Sequence, residues 1–288
     1  MVVFPFFPKR RFRGPVSNKM KSGNLRHFTA KEAVVRIAGL QKLTLLDFPG
    51  LTAATVFTPG CNLRCPFCHN GELVGTETTD AENAYGLTFG SPEEALSFLR
   101  TRHRLLDGVC ISGGEPLLQP EIDAFCRSLK DLGFAVKLDT NGTQPDRLRA
   151  LLDAGLIDYV AMDVKNTPGR YAETVGCADV DLDAIQQSMR LLMMQDPAKG
   201  GATYEFRTTV VRELHTRDDL VELAYWIAGD ARELLSPVCP PWFVQNFKDS
   251  SAVLAGQGTL HPWDADELRS LYPKLWVILP TVSLRGVE

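Results

Sequence analysis

Runs of apolar and β-branched residues alternate with amphipathic segments along most of the chain, and this alternation constrains the fold more than any other feature. Strands are predicted over residues 52–58, 109–112, 134–140, 159–164, 204–211, 242–247 and 275–279. Helices are predicted over residues 91–103, 120–132, 145–154, 182–194, 217–228 and 265–271. Repeated strand–helix units predict a parallel sheet with helices on its outside. Six such units are too few for a closed eight-fold barrel, so we predict an α/β fold, an open, partial (β/α)6 barrel of parallel strands.

Charge is unevenly distributed along the chain, although the formal net charge of −4 does not suggest a nucleic-acid binder. Residues 1–31 carry eight Lys and Arg side chains and no Asp or Glu. We predict a basic, disordered N-terminal tail over residues 1–33 and a folded domain over residues 34–288. The alternatives for the tail are translation from an upstream start codon and a docking arm for an acidic partner. The tail has the wrong order for a signal peptide, and no apolar run reaches membrane-spanning length. We therefore expect a cytoplasmic protein with no membrane segment.

Three cysteines follow the first predicted strand with the spacing C-x3-C-x2-C: Cys61, Cys65 and Cys68. One compact loop can therefore surround one metal centre. Zinc sites usually take four ligands and iron–sulfur cubanes usually take four cysteines, so three cysteines leave one position open to a small molecule. A structural zinc site completed by His69 is the alternative. The other cysteines are interpreted as small buried hydrophobic residues, and they are Cys110, Cys126, Cys177 and Cys239.

A glycine pair closes the strand that precedes residue 113, at the end of the sheet where the chemistry of parallel α/β folds is located. Gly113 and Gly114 let a ligand approach the backbone closely. Glu115 can accept hydrogen bonds from a ligand ammonium group. The same residues also make an ordinary turn.

Polar side chains close the next three strands as well. Asp139 and Asn141 can bind sugar hydroxyls, or they can form an Asx turn. Asp163 and Lys165 alternate, so they share one face of their strand, either as a simple ion pair or as part of a site. Arg207 either points into the barrel to hold a carboxylate or is solvated on an edge.

These motifs together resemble the radical S-adenosylmethionine superfamily, because the three cysteines with Phe67 before the last of them are followed by Gly-Gly-Glu-Pro at residues 113–116. Further segments resemble the glycyl-radical-enzyme activating enzymes, and they are Leu-Asp-Phe-Pro-Gly at 46–50, Asp-Thr-Asn-Gly at 139–142 and Asp-Val-Lys at 163–165. Within that group the chain is most similar to the activating protein of anaerobic ribonucleoside-triphosphate reductase. The resemblance covers roughly residues 34–280.

The resemblance implies a set of cofactors and a role for each motif. Cys61, Cys65 and Cys68 would hold three irons of one [4Fe–4S] cluster, and S-adenosylmethionine would chelate the fourth iron. The implied cofactor contacts are Phe67 near the adenine, Gly113, Gly114 and Glu115 at the methionine amino group, Asp139 and Asn141 near the ribose, and Lys165 and Arg207 at the carboxylate.

The resemblance also implies the reaction and the partners. Reductive cleavage of S-adenosylmethionine would give methionine and a 5′-deoxyadenosyl radical, which would take a hydrogen atom from a glycine of the partner enzyme. That partner would be anaerobic ribonucleoside-triphosphate reductase, and the electron would come from a donor such as flavodoxin or ferredoxin.

Departures from the family pattern leave other functions open. No cysteine lies between the cysteine motif and the first long helix, so a single cluster is expected. The best-known formate-lyase activators carry a histidine late in the barrel, where this chain offers Gln245. The alternatives are an activase of another glycyl radical enzyme such as pyruvate formate-lyase, a radical S-adenosylmethionine enzyme acting on a small molecule or peptide, and a zinc-binding interaction module.

Overall fold

One sheet organises the computed structural model, which describes residues 35–75 and 90–288. Within these residues the strands follow one another in chain order, from β1 to β8. β1 pairs with β2 in the antiparallel direction, and every later pair is parallel. The strands are β1 (Gly39–Thr44), β2 (Ala53–Thr58), β3 (Gly108–Gly113), β4 (Ala135–Thr140), β5 (Tyr159–Asp163), β6 (Thr203–Val210), β7 (Trp242–Asn246) and β8 (Val282–Arg285).

Helices connect the parallel strands, as the right-handed crossover of a parallel sheet requires. The described helices are α1 (Gly71–Val74), α2 (Pro92–Arg100), α3 (Ile122–Asp131), α4 (Pro145–Asp153), α5 (Tyr171–Val175), α6 (Leu182–Met193), α7 (Arg217–Glu233) and α8 (Ala265–Ile278). α2 begins with a capping box, in which the Ser91 side chain accepts from the Glu94 N–H and the Glu94 side chain accepts from the Ser91 N–H.

The predicted α/β fold is confirmed, with six strand–helix units in the described residues and an open sheet rather than a closed barrel. α1 and α5 are short helices that the sequence did not predict. The predicted tail over residues 1–33 lies outside the described residues, as do residues 76–89. None of the helices in the described part of the chain has the length and hydropathy needed to cross a bilayer.

The prediction for the end of the chain is wrong, because residues 275–279 do not form a strand. They continue α8 as far as Ile278, and the last strand lies beyond them at Val282–Arg285. The buried side chains of α8 are Leu268, Leu271, Leu275 and Ile278. Their spacing of three and four residues is helical, and burial of that face outweighs the β-branched composition of the segment.

The amino end of the sheet, where the parallel strands begin, is closed by an apolar cluster. Phe48 and Tyr159 meet edge to face with ring centroids 6.0 Å apart. Buried alanines of three strands complete the cluster, and they are Ala53, Ala135 and Ala161. This cluster fills the inside of the sheet at one end, so space for a ligand is left at the other end, where the strands finish.

Candidate functional site

The cysteine loop, residues 60–70, starts where β2 ends and covers the carboxyl ends of the strands. The Gly60 N–H donates to the Leu73 carbonyl at 2.8 Å, which ties the start of the loop to α1. The Cys68 N–H donates to the Cys65 carbonyl at 3.0 Å, which closes a tight turn between the last two cysteines. The motif thus forms one compact loop, as its spacing predicts.

Segments distant in sequence hold the cysteine loop from two sides, and the sequence did not reveal them. The contacts are Arg64 N–H to Val175 carbonyl at 2.9 Å, Leu254 N–H to Cys68 carbonyl at 3.0 Å, Ala255 N–H to Pro66 carbonyl at 2.9 Å and His69 Nε2 to Lys248 carbonyl at 2.6 Å. The first three are contacts between backbone groups, which depend on no residue type, so no sequence signal marks them. They fix the position of the loop above the sheet.

A cavity of about 260 Å³ lies between the cysteine loop and the strand ends. It is lined by every predicted site residue except Glu115, and these are Cys61, Cys65, Phe67, Cys68, Gly113, Gly114, Asp139, Asn141, Lys165 and Arg207. Asp163, Asn70 and Thr209 line it as well. Motifs more than a hundred residues apart therefore surround one space.

The three thiols of the loop face this cavity from a largely buried position. Burial raises the pKa of the Cys61 thiol to about 12 and that of the Cys65 thiol to about 11, and it raises the pKa of Cys68 as well. Among the described residues, no group of three or more His, Cys, Asp or Glu side chains is arranged around a single ion position. A [4Fe–4S] cluster does not require its protein ligands to surround one ion, because each thiolate binds a different iron of the cluster.

Gly113 and Gly114 allow the end of β3 to touch the cysteine loop. Gly113 has φ +120°, and a Cβ there would collide with the backbone of Thr58. A Cβ on Gly114 would collide with the Gly60 carbonyl. The Gly114 N–H donates to the Thr58 carbonyl at 2.9 Å, so this glycine serves the close approach of two backbone segments.

Glu115 lies behind the cavity wall, which differs from its expected place facing a ligand. Its side chain is fully buried. Its carboxylate accepts from the Asn141 N–H at 2.6 Å, the Thr140 hydroxyl at 2.8 Å and the Leu117 N–H at 3.0 Å. Burial raises the pKa of Glu115 to about 7, although these hydrogen bonds oppose the rise. The residue joins the ends of two neighbouring strands.

Asn141 takes part in the Asx turn that the sequence allowed. Its Oδ1 accepts from the Thr143 N–H at 3.0 Å, and Gly142 has φ +79°. Its Nδ2 points the other way, 3.0 Å from Asn62 Oδ1 and 3.8 Å from the Cys61 sulfur. Asn141 can therefore form the Asx turn and belong to the site at once, because its amide oxygen makes the turn and its amide nitrogen points towards the cysteine loop.

Charged side chains line the wall opposite the cysteines, and Arg207 points into the barrel. Arg207 Nε is 2.8 Å from Asp163, and Lys165 Nζ is 2.8 Å from the same carboxylate. Burial by itself would raise the pKa of Asp163, but Arg207 and Lys165 hold this pKa well below its ordinary value. Lys165 Nζ also lies 5.7 Å from the centre of the Phe67 ring.

His215 is a residue of the site that sequence reasoning missed. Its Nε2 donates to the Lys165 carbonyl at 2.8 Å, and its Nδ1 accepts from the Val211 N–H at 3.2 Å. Its ring meets Phe67 edge to face at 6.5 Å. Burial lowers the pKa of His215, and a neutral ring suits both hydrogen bonds. A single histidine after a strand gives no sequence signal of such a role.

The remaining cysteines follow their predicted burial in part. Cys110 and Cys126 are buried and Cys177 is partly buried. The prediction is wrong for Cys239, which is exposed and lies 3.4 Å from the Thr281 hydroxyl. Its segment precedes β7 at the amino end of the sheet.

Comparison with known proteins matches the same part of the chain. Residues 55–215 match the model of the radical SAM superfamily. A protein of Methanocaldococcus jannaschii, provisionally named a glycyl-radical enzyme activating enzyme, is 34% identical over 218 residues, which are 75% of this chain and 81% of that protein. A pyruvate formate-lyase-activating enzyme of Clostridium pasteurianum is 33% identical over 136 residues, which are 46% of this chain and 52% of that enzyme.

A solved structure agrees with this assignment at the level of the fold. Streptococcus suis SuiB bound to S-adenosylmethionine superimposes with a TM-score of 0.54 at 16% identity, over 79% of this chain and 48% of SuiB. Enzymes of the superfamily use a [4Fe–4S] cluster and S-adenosylmethionine, and these are the cofactors of this enzyme. The chain belongs to the radical SAM superfamily and is a homologue of the glycyl-radical enzyme activating enzymes.

Proposed function

We propose that this enzyme generates a glycyl radical on anaerobic ribonucleoside-triphosphate reductase. The observation that supports this proposal most is the single cavity, in which the three cysteines of the motif face the polar ends of β3 to β6. The similarity to the Methanocaldococcus jannaschii and Clostridium pasteurianum proteins supports a glycyl radical enzyme as the partner. The overall resemblance of the sequence to the activating protein of that reductase favours the reductase among such partners.

Cys61, Cys65 and Cys68 are the residues that would hold the cluster. The donor set fits this role, because three thiols on one loop face the cavity and the segment around Leu254 fixes the backbone of that loop. When bound, the two cofactors supply one-electron cleavage of S-adenosylmethionine and removal of a hydrogen atom from a glycine. The protein supplies position and exclusion of water.

Side chains on the opposite wall would orient S-adenosylmethionine. Lys165 and Arg207 offer positive charge for its carboxylate, and Asp139 and Asn141 offer polar groups to its ribose. Phe67 offers a flat apolar surface for the adenine, held between Lys165 and His215. Glu115 contributes indirectly, since its buried carboxylate fixes the Asn141 backbone.

The experiment that tests the proposal mixes the anaerobically reconstituted enzyme with S-adenosylmethionine, a reductant and a candidate partner. Anaerobic ribonucleoside-triphosphate reductase and pyruvate formate-lyase are tested side by side. We expect a glycine-centred electron paramagnetic resonance signal on the reductase, together with stoichiometric 5′-deoxyadenosine. Reduced flavodoxin and reduced ferredoxin then replace the chemical reductant, to identify the physiological class of donor.

Controls distinguish a glycyl radical on the reductase from the alternative functions. A reductase whose radical-bearing glycine is replaced by alanine gives no signal if the radical forms at that glycine. A signal on the formate-lyase alone would replace the reductase by another glycyl radical enzyme as the partner. Cleavage of S-adenosylmethionine with neither partner activated would favour a small-molecule or peptide substrate. Zinc without iron or sulfide after anaerobic purification would reject the whole proposal.

A further inference from the structure

Lys137 is a buried cation to which the proposed function gives no role. Its side chain is 1% exposed, inside the sheet on β4. In the strand register it lies between Cys110 of β3 and Tyr159 of β5. Its Nζ is 3.7 Å from the Cys110 sulfur and 5.9 Å from the centre of the Tyr159 ring. An ammonium group in such surroundings requires a close anionic partner.

That partner is Asp139, two residues further along the same face of β4. Lys137 Nζ forms an ion pair and hydrogen bond with Asp139 Oδ1. The other carboxylate oxygen of Asp139 accepts from the Ser112 hydroxyl at 3.1 Å and lies 3.6 Å from Arg207. Asp139 is thus held from below by Lys137, while its exposed side faces the cavity.

Arg207 is shared between two carboxylates, but unequally. Its Nε is 2.8 Å from Asp163, whereas its distance to Asp139 is 3.6 Å. The charges therefore alternate in a row: Lys137, Asp139, Arg207, Asp163 and Lys165. Because Lys137 neutralises Asp139 from inside the sheet, Arg207 can form its close contact with Asp163.

We propose that Lys137 is a positioning residue that holds Asp139 at the cavity wall and leaves Arg207 bound to Asp163. Without Lys137, Arg207 is the only cation of this row beside Asp139, and it is drawn away from Asp163. Asp163 is then ion-paired with Lys165 alone. The loss of one buried charge would thus displace the groups that face both the ribose and the carboxylate of S-adenosylmethionine. This inference rests on the proposed function, since it concerns the binding of that cofactor.

The test measures the binding of S-adenosylmethionine to the reconstituted, unreduced enzyme by equilibrium dialysis, so that it does not depend on turnover. The variants are Lys137→Met, Asp139→Asn and the double variant. We expect Lys137→Met to weaken binding about tenfold with iron and sulfide content unchanged. We expect the double variant to bind as Asp139→Asn does, because Lys137 acts through Asp139. Cys110→Ala is the matched control, since it changes a neighbour of Lys137 without removing charge.

Two results would overturn the inference. One is wild-type affinity in Lys137→Met, and the other is a double variant whose loss is the product of the two single losses. If Lys137→Met does not fold, the affinities of Asp139→Asn and of the double variant for S-adenosylmethionine are compared instead. Weaker binding by the double variant than by Asp139→Asn contradicts the proposal. Failure of the wild-type holoenzyme to bind S-adenosylmethionine would instead reject the proposed function.

Discussion

The two ends of the sheet's inner face carry opposite chemistry, although the same strands form both. At the amino end, Phe48 and Tyr159 pack with small alanines, and the Tyr159 hydroxyl donates to Glu205 at 2.8 Å. At the carboxyl end, thiols and paired charges surround a cavity. β4 and β5 therefore change from packing to lining the cavity within a few residues, from Ala135 to Asp139 and from Tyr159 to Asp163.

Glu205 of β6 lies between the apolar end and the polar end of the inner face. Its side chain is 3% exposed and pairs with Arg285 of β8 at 3.0 Å, and the Arg285 guanidinium lies 3.6 Å from the centre of the Phe243 ring. This pair ties the last strand to the interior. The apolar end should therefore determine stability, while the polar end should determine cofactor binding. Substitutions at one end should change one of these properties and leave the other.

The largest effect is expected from Cys65→Ala at the polar end. Removal of one of three thiols should abolish both the intact cluster and the cleavage of S-adenosylmethionine, while the thermal unfolding of the cluster-free protein changes little. Iron and sulfide analysis, together with 5′-deoxyadenosine formation, measures this. Cys239→Ala is the matched control, because Cys239 is exposed and does not line the cavity. A Cys65→Ala enzyme with full cluster content would refute the assignment of the ligands.

At the apolar end, Phe48→Ala should lower the free energy of unfolding by about 3–5 kcal/mol. The reason is the cavity left beside Tyr159, since the ring of Phe48 is buried against it. Denaturant unfolding measures this change. Leu46→Ala serves as the control, because Leu46 is 90% exposed and should change stability by less than about 0.5 kcal/mol. Equal losses in the two variants would contradict the packing described for this end.

Gly114→Ala should affect both properties, because this residue touches the loop and the sheet together. The added methyl group collides with the Gly60 carbonyl, so the cysteine loop must shift at a cost of about 1–3 kcal/mol. We expect reduced cluster content at equal protein concentration. The control is Gly229→Ala in α7, where a methyl group meets no neighbouring atom. Full cluster content in Gly114→Ala would show that the loop tolerates displacement.

The smallest effect is expected from acid. Arg207 and Lys165 place the folded-state pKa of Asp163 below its ordinary value of 3.8, so the unfolded chain binds more protons in acid. The stability that this carboxylate contributes is therefore complete above pH 3.8 and is lost as the pH falls below it. Urea unfolding from pH 6 to pH 3 should show a smaller acid-induced loss in Asp163→Asn than in the wild type. Asp153→Asn, at an exposed helix end, is the control substitution.

Local patterns predicted most elements, and the misses have a common cause. Strand and helix order followed from sequence pattern, because β2 to β5 are mostly apolar runs buried on both faces and the longer helices are buried on one face. Residues 275–279 were wrongly predicted as a strand because a run of five apolar residues is too short to show a helical period. The period becomes visible only when the run is read as the end of a longer helix with one buried face. α1 and α5 are single turns, whose formation depends on the loops around them rather than on propensity.

The sequence alone determined that three thiols share one loop and that polar residues end successive strands, because both are properties of spacing along the chain. Tertiary structure decided the rest. It placed Glu115 behind the wall, brought His215 and the segment near Leu254 to the site, and buried Lys137 below Asp139. These outcomes depend on which backbone groups and charges meet across the sheet, and the distance between two residues in space is not encoded in their separation along the chain.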